Sequence, residues 1–349
     1  MAAKDPSLLG TYVLPGPATD PLAGLGQTTE AERLGLGSIW LSELQGPLKD
    51  AGAICGYMGH STSRITVGTS VTHFGTRHPM VLASWAATMQ VLTGGRFALG
   101  FGRSVPSRWV DWGLPVPTIS AMEDFASILR SLWAHETVSY DGPAGRFPKL
   151  EFEAAPDFDP PPLLLAAIGP KTLELVGRAF DGVLLHPFLN VEAVARSRDI
   201  VREAAEKAGR DPDAVTIYHQ VVTAPDMGPE EIDLVVRARA TAYFSHPGFG
   251  EPLALANGWD PAPLATLRSE VKRAMAENEA AGSPLKGRQI LMGPGKVLPD
   301  EWITTGAAVG TASECSARLK EYLDAGADQI VVHGVTADGL GPTVQEFSS

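Results

Sequence analysis

RITVGTSVTHFGTRHPMVLASWAATMQVLTGGRFALGFG, residues 64–102, carries a strand, a helix and a second strand in immediate succession. Arg64 to Thr72 is rich in β-branched residues, which suit a pleated, half-buried surface. His78-Pro79 then opens an apolar stretch to Leu92, with proline near the first helical position, where its missing N–H is no loss. Arg96 to Gly102 reads as the next strand. Two strands joined by a helix-length crossover lie parallel, so this stretch predicts a β/α repeat rather than a meander.

Outward from that unit the same alternation continues. Toward the N-terminus it gives a short strand at Thr11 to Leu14, ending at Pro15-Gly16, a strand at Ser38 to Ser42 and a helix from Leu48 to Met58. Toward the C-terminus a helix runs from Ser120 to Ala134, with Ser120 as N-cap and Glu123 completing a capping box. Residues 135–161 read as a detour, with a small hairpin at Ser139-Tyr-Asp-Gly and Gly145-Arg-Phe. Strands follow at Leu163 to Ile168, Gly182 to Leu185, Val215 to Ala224 and Gln329 to His333, with helices at Lys171 to Phe180, Val191 to Ala208 and Ser313 to Ala325. Residues 225–300 break the rhythm with two helical stretches, 230–245 and 262–281. Eight strands at this length predict an α/β fold, a (β/α)₈ TIM barrel with insertions after strands four and seven, forming one domain over residues 1–349.

A hydrophobic share of 44% with 19% charged residues is globular composition. The formal charge of −12 offers no basic field to nucleic acid or an anionic membrane surface, and neither is expected as a partner. An anionic cofactor would have to be held by local donors. The N-terminus MAAKDPSLLG lacks a basic segment followed by an apolar one, and the longest apolar run, Leu163 to Ile168, is too short to span a bilayer. A cytoplasmic protein is expected. Cys55 and Cys315 form no CxxC pair and read as buried spectator thiols.

A barrel carries its chemistry on the loops after the strands, and its opposite face carries stability. Arg96 begins strand four, so a structural role at the bottom is expected. The top face receives Pro15-Gly16, Glu43, Ser70 to His73, Gly102-Arg103, Gly169 to Thr172, His186 and His333. Gly169-Pro170-Lys171-Thr172 joins strand five to its helix. Its amides and helix dipole suit a phosphate, and an ordinary strand–helix turn is the other reading. His73, His186 and His333 suit proton handling or polar ligand contact, or are simply hydrogen-bonded residues. No HxH or HExxH spacing supports a metal. Glu43 would act as an acid or base if desolvated, and otherwise is an exposed carboxylate. Gly100-Phe101-Gly102 lacks the third glycine of the dinucleotide fingerprint, and Ile290 stands where a P-loop ending at Lys296 requires glycine.

Thr69-Ser-Val-Thr-His-Phe-Gly-Thr-Arg-His-Pro79, Thr93-Gly-Gly-Arg-Phe-Ala-Leu-Gly-Phe-Gly102, Ala167-Ile-Gly-Pro-Lys-Thr-Leu-Glu-Leu-Val-Gly-Arg-Ala-Phe-Asp-Gly-Val183 and Gly310-Thr-Ala-Ser-Glu314 with Ala325-Gly-Ala-Asp328 resemble, in order, the bacterial luciferase-like family. That resemblance implies a TIM barrel using reduced FMN or the deazaflavin F420, and it is nearest the F420-dependent branch. It implies a bulge with a non-prolyl cis peptide at Ser70-Val71, with Thr72 beside it, backing the cofactor ring. It also implies phosphate binding at Gly169, Pro170, Lys171 and Thr172, and cofactor contact at His186, Phe101 and Gly102. The family's sugar-phosphate dehydrogenases end strand two with a catalytic His and strand four with a Glu; here Leu44 and Arg103 stand at those places, which argues against that chemistry.

The expectation is therefore an F420-dependent oxidoreductase moving hydride to or from a small organic molecule. An FMN-dependent monooxygenase and a non-catalytic ligand-binding barrel are the alternatives. His73 is the expected proton donor or acceptor, with Glu43 as its alternative. Arg103 and Trp109 form the expected substrate wall, although Arg103 could equally pair with Glu43. Arg103, with Arg108, suits an anionic or carbonyl substrate. Lys286, Arg288 and Lys296 in the insertion are surface charges or contacts for an anionic group. Homodimers are common in the family.

Overall fold

Thr66–Thr69 (β3) pairs in parallel with Ser38–Leu41 (β2) on one side and, through Val67 and Gly68, with Phe97–Gly102 (β4) on the other, as the decisive stretch predicts. The computed structural model describes residues 2–13, 24–43, 50–153, 158–282, 285 and 287–349. The remaining strands are Leu9–Tyr12 (β1), Leu163–Ala167 (β5), Gly182–Leu185 (β6), Thr216–Pro225 (β7) and Gln329–His333 (β8). All pairings among them are parallel. The ring closes where β7 bonds both β6 and β8, and β8 bonds β1. The result is a closed eight-stranded parallel barrel.

The crossover helices are α1 (Gln27–Arg33), α2 (Ala51–His60), α3 (Pro79–Leu92), α4 (Ile119–Trp133), α5 (Pro170–Ala179), α6 (Val191–Lys207) and α7 (Ala312–Asp324), with α8 (Gly341–Phe347) closing the chain. Two expectations are corrected. The strand expected to run unbroken from Arg64 to Thr72 is interrupted at Ser70-Val71, and Thr72–His73 resumes pairing one step on, with Phe101 and Gly102. The N-cap of α4 is Thr118, not Ser120: its hydroxyl accepts from the Ala121 amide, while Glu123 pairs with Arg178 on α5 at 2.8 Å. The helix starts early enough that Ser120 already lies inside it.

The barrel interior is filled by Tyr12, Trp40, Ala98, Leu164, Leu184 and Val331. Trp40 fits only because Gly68 faces it: a Cβ there would lie 2.3 Å from the indole. Arg96 sits at the bottom, donating to the carbonyls of Thr93 (2.8 Å), Ile65 (2.6 Å) and Thr62 (2.9 Å), so it ties the ends of α2 and α3 to β3. Both cysteines are buried and free, and burial pushes each thiol up to about 12.

The hairpin after α4 is present as Val138–Gly142 and Gly145–Leu150. The insertion after β7 contains Pro229–Ile232, a π turn at Asp233–Arg237, and helices Ala238–Ser245, Gly250–Ala256 and Pro263–Ala280. The sequence reading missed Gly250–Ala256, Asp300–Gly306 and the short strand Ala308–Gly310, which pairs in parallel with the end of β7. Trp259 and Trp302 stack at 4.9 Å, and Phe244 packs on Trp302 at 4.8 Å. This small core fixes Ala238–Ser245 over the barrel mouth. Pro15-Gly16, Leu44 and Lys286 lie outside the described residues.

Candidate active site

A cavity of about 420 Å³ opens at the C-terminal ends of the strands. Its floor is the Ser70–Val71 peptide, which is cis, as the family resemblance implied. Three strands hold it. The Tyr12 hydroxyl on β1 lies against Ser70 Oγ, 3.1 Å from Ser70 O and 2.8 Å from Gln220 Oε1 on β7. Gln220 Nε2 donates to Ser70 Oγ at 3.1 Å, and the Ser42 hydroxyl donates to Ser70 O at 2.6 Å. Gly102 faces Val71 from β4, where an added Cβ would lie 2.3 Å from Val71 Cγ2.

Glu43 lines the same wall but is nine-tenths buried and is not a free acid or base. Arg77 donates to its two carboxylate oxygens at 2.7 and 2.9 Å, and the Thr72 hydroxyl donates to it as well. Its structural partner is thus Arg77 and not Arg103, whose side chain is exposed at the lip beside Arg108. His73 Nδ1 is 3.9 Å from Glu43, and its ring packs edge-on against Trp109 (6.1 Å) and Trp112 (5.4 Å).

Of the expected site residues, Glu43, Ser70, Val71, His73, Gly102, Arg103, Gly169, Thr172 and His186 line the cavity. Thr72, Phe101 and Trp109 are buried behind its wall. Phe101 is corrected from cofactor contact to core: it stacks on Phe74 at 4.4 Å, because strand side chains alternate and Gly102 holds the inward position. Trp109 is corrected from substrate wall to support: it backs His73 and donates its indole N–H to Arg103 O. Pro170 and Lys171 are exposed at the start of α5. There Gly169 is an N-cap with no side-chain bond, and no heavy atom beyond its own and the adjacent residues lies within 4 Å of where its Cβ would be. The Thr172 amide bonds Gly169 O at 3.1 Å, so the Lys171 amide is the donor that this first turn leaves for a ligand.

At the far wall, the insertion residues Tyr243, Phe249 and Arg239 were not singled out by the sequence. His186 lies edge-on to Tyr243 at 4.6 Å and near Phe249, both from the insertion. His333 packs on Tyr12 at 4.5 Å and contacts Arg239. Only the inward parity of Tyr12 and Gln220 on their strands could have signalled their roles. No group of three metal-ligating side chains occurs among the described residues. No helix of the described residues is long and apolar enough to cross a membrane.

Burial lowers His73 and His186 to about 4; for His73, Glu43 opposes the shift while Arg108 and Arg77 add to it. Both imidazoles are therefore neutral in the folded protein near neutrality. The unfolded chain protonates them below about 6.5, so it binds more protons than the folded state between about 4 and 6.5, and stability rises with pH across that window. Acidification to about pH 4.5 is expected to remove on the order of 2 kcal/mol per histidine. Urea unfolding at both pH values measures this, and His186→Gln should flatten the slope; equal slopes in the two proteins would contradict the assignment.

A closed parallel barrel with its polar side chains gathered around one mouth cavity defines the class of (β/α)₈ barrels that work at the C-terminal face. The profile of the luciferase-like monooxygenase family matches residues 11–329, and the chain belongs to that family. It is 28% identical over 310 residues to a 5,10-methylenetetrahydromethanopterin reductase of Methanolobus tindarius, covering 86% of each chain. It is 24% identical over 318 residues to an F420-dependent glucose-6-phosphate dehydrogenase of Amycolatopsis mediterranei, covering 87% of this chain and 86% of that one. Among solved structures, the coenzyme F420 dependent tetrahydromethanopterin reductase from Methanopyrus kandleri superposes with a TM-score of 0.75 at 19% identity, over 97% of both chains.

Proposed function

We propose that this protein is an F420-dependent oxidoreductase acting on a small organic molecule. The observation that carries the reading is the cavity wall at Ser70 and Val71, held by Tyr12, Ser42 and Gln220 and faced by the side-chain-free Gly102. The full-length similarity to F420-dependent proteins supports it. The residues fit such a cofactor: Ser70, Val71 and Gly102 offer a flat backing for a tricyclic ring, and the open N-cap at Gly169 offers room for a phosphate. The Lys171 amide and ammonium and Thr172 would hold that phosphate, and His186 would contact the cofactor. When bound, the deazaflavin supplies a carbon centre that gives or accepts hydride.

The chain's own contribution is orientation, water exclusion and proton placement. His73 is neutral and walled by Trp109 and Trp112, so it can hold a substrate oxygen by an N–H donor and exchange a proton there. Glu43, fixed by Arg77 and Thr72, positions that wall and does not itself carry the proton. Arg103 and Arg108 at the lip favour an anionic or carbonyl group on entry.

Fluorescence titration of the purified protein is expected to give F420 binding in the micromolar range, with FMN about tenfold weaker or worse. Tight FMN binding without F420 binding would overturn this reading in favour of the FMN-dependent monooxygenase alternative. Binding of neither would favour a non-catalytic barrel.

A further inference from the structure

Arg239, on Ala238–Ser245 of the insertion, is 8% exposed and has no carboxylate partner among the described residues. Other partly buried arginines have carboxylate partners: Arg237 pairs with Asp233 (3.1 Å) and Asp300 (2.7 Å), Arg268 with Glu251 (2.5 Å) and Arg77 with Glu43 (2.7 Å). Arg239 instead presses Nη1 against both ring nitrogens of His333, 2.8 Å from Nδ1 and in contact with Nε2, and interacts with the Tyr243 hydroxyl, while its buried Nε has no hydrogen-bond partner. His333 cannot serve as a counter-charge. It accepts from the guanidinium, and burial with Arg239 and Arg288 nearby holds it neutral. Desolvation lowers Arg239 only to about 10, so it remains a cation at neutral pH.

A buried cation without an anion is costly, and proteins keep one where the missing partner arrives from outside. The partner's approach is defined by the fold. His333, Tyr12 and Tyr243, which neighbour Arg239, line the cavity, and Arg239 itself lies behind them. They gather at β8, β1 and the insertion, whereas the open N-cap of α5 follows β5, across the ring from β1. Both ring nitrogens of His333 lie against Arg239 Nη1, so the cation and the imidazole form one contiguous polar corner at the end of β8.

We infer that the Arg239–His333 corner is an oxyanion-binding subsite that receives a carboxylate or phosphate carried by the substrate. This deepens the proposed function, on which it rests, by making the substrate an organic acid or phosphoester anion. The acidic side chain of the cofactor is the other source of the same chemistry.

The test compares wild type, Arg239→Met and Arg239→Lys by thermal unfolding in acetate and in inorganic phosphate, against chloride at equal ionic strength, with and without saturating F420. Wild type should show a saturable rise in Tm with acetate or phosphate. Arg239→Met should weaken that response by about tenfold or more, Arg239→Lys should retain part of it, and F420 affinity should stay within about twofold. The ligand-free Tm of Arg239→Met should equal or exceed that of wild type, because an unpaired buried charge has been removed. An anion response that is absent from wild type or unchanged in Arg239→Met overturns the subsite, as does a lowered ligand-free Tm, the mark of a purely structural arginine. A loss of F420 affinity of about tenfold in Arg239→Met overturns the substrate assignment and gives the corner to the cofactor. Failure of the cofactor reading shows separately, as absent F420 binding in wild type, and the anion arm is still read on the ligand-free protein.

Discussion

Gly102→Val is expected to weaken F420 binding by about a hundredfold, close to 3 kcal/mol, while leaving the barrel folded. Even a Cβ at this position would lie 2.3 Å from Val71 Cγ2, and valine adds two methyls to that collision. Val71 cannot retreat, because its carbonyl accepts from the Glu43 amide at 3.1 Å and the preceding residue is held from β1, β2 and β7. The displaced side chain must therefore move into the cavity, where the cofactor ring is proposed to lie. Overpacking of this kind also costs about 1–3 kcal/mol of stability, which a protein of this size can absorb. Fluorescence titration measures the affinity and circular dichroism the fold. Wild-type affinity in the variant would show that Val71 does not back the ring.

Arg77→Met should cost about 3–5 kcal/mol of folding stability, among the largest losses a single substitution at this site can produce. Removing the guanidinium leaves Glu43 as a charge nine-tenths buried, with the Thr72 hydroxyl beside it and His73 at 3.9 Å. A neutral imidazole is a poor substitute for a cation. Because the loss comes from the stranded carboxylate, the double variant Arg77→Met with Glu43→Gln should recover most of it. Urea unfolding of the two single variants and the double completes the cycle. If the double variant is as unstable as Arg77→Met alone, the loss instead reflects packing of the Arg77 stem against Trp85, whose ring centroid lies 5.4 Å from the guanidinium carbon.

Much of the site was legible from two local rules. Top-face position placed Glu43, Ser70, Val71, His73, Gly102, Arg103, Gly169, Thr172 and His186 at one mouth, and the structure brings all of them to the cavity. The alternation of side chains along a strand was also readable: it separates Gly102, facing in, from Phe101, facing the helices, although the family resemblance had implied cofactor contact at Phe101. Pairing was not readable in this way. Glu43 lies 34 residues from Arg77 and closer in sequence to other cations than to Arg103, yet the bend after β3 delivers Arg77 to it. Trp109 follows strand four as expected of a substrate wall, but its short helix turns the indole under His73.

The family resemblance placed the bulge at Ser70-Val71, and the sequence by itself determined the eight β/α units and the bottom role of Arg96. These follow from side-chain periodicity, turn chemistry and motif, which act over a few residues and survive reading in one dimension. Only the tertiary structure decided which charges are neutralised and which are not. His333 and Arg239 stand 94 residues apart, and they meet because the insertion's tryptophan core holds its helix over the end of β8. Whether a charged side chain is a solvated ornament or a buried demand for a partner depends on what surrounds it. Burial is a property of the packed chain as a whole, and no stretch of sequence carries it alone.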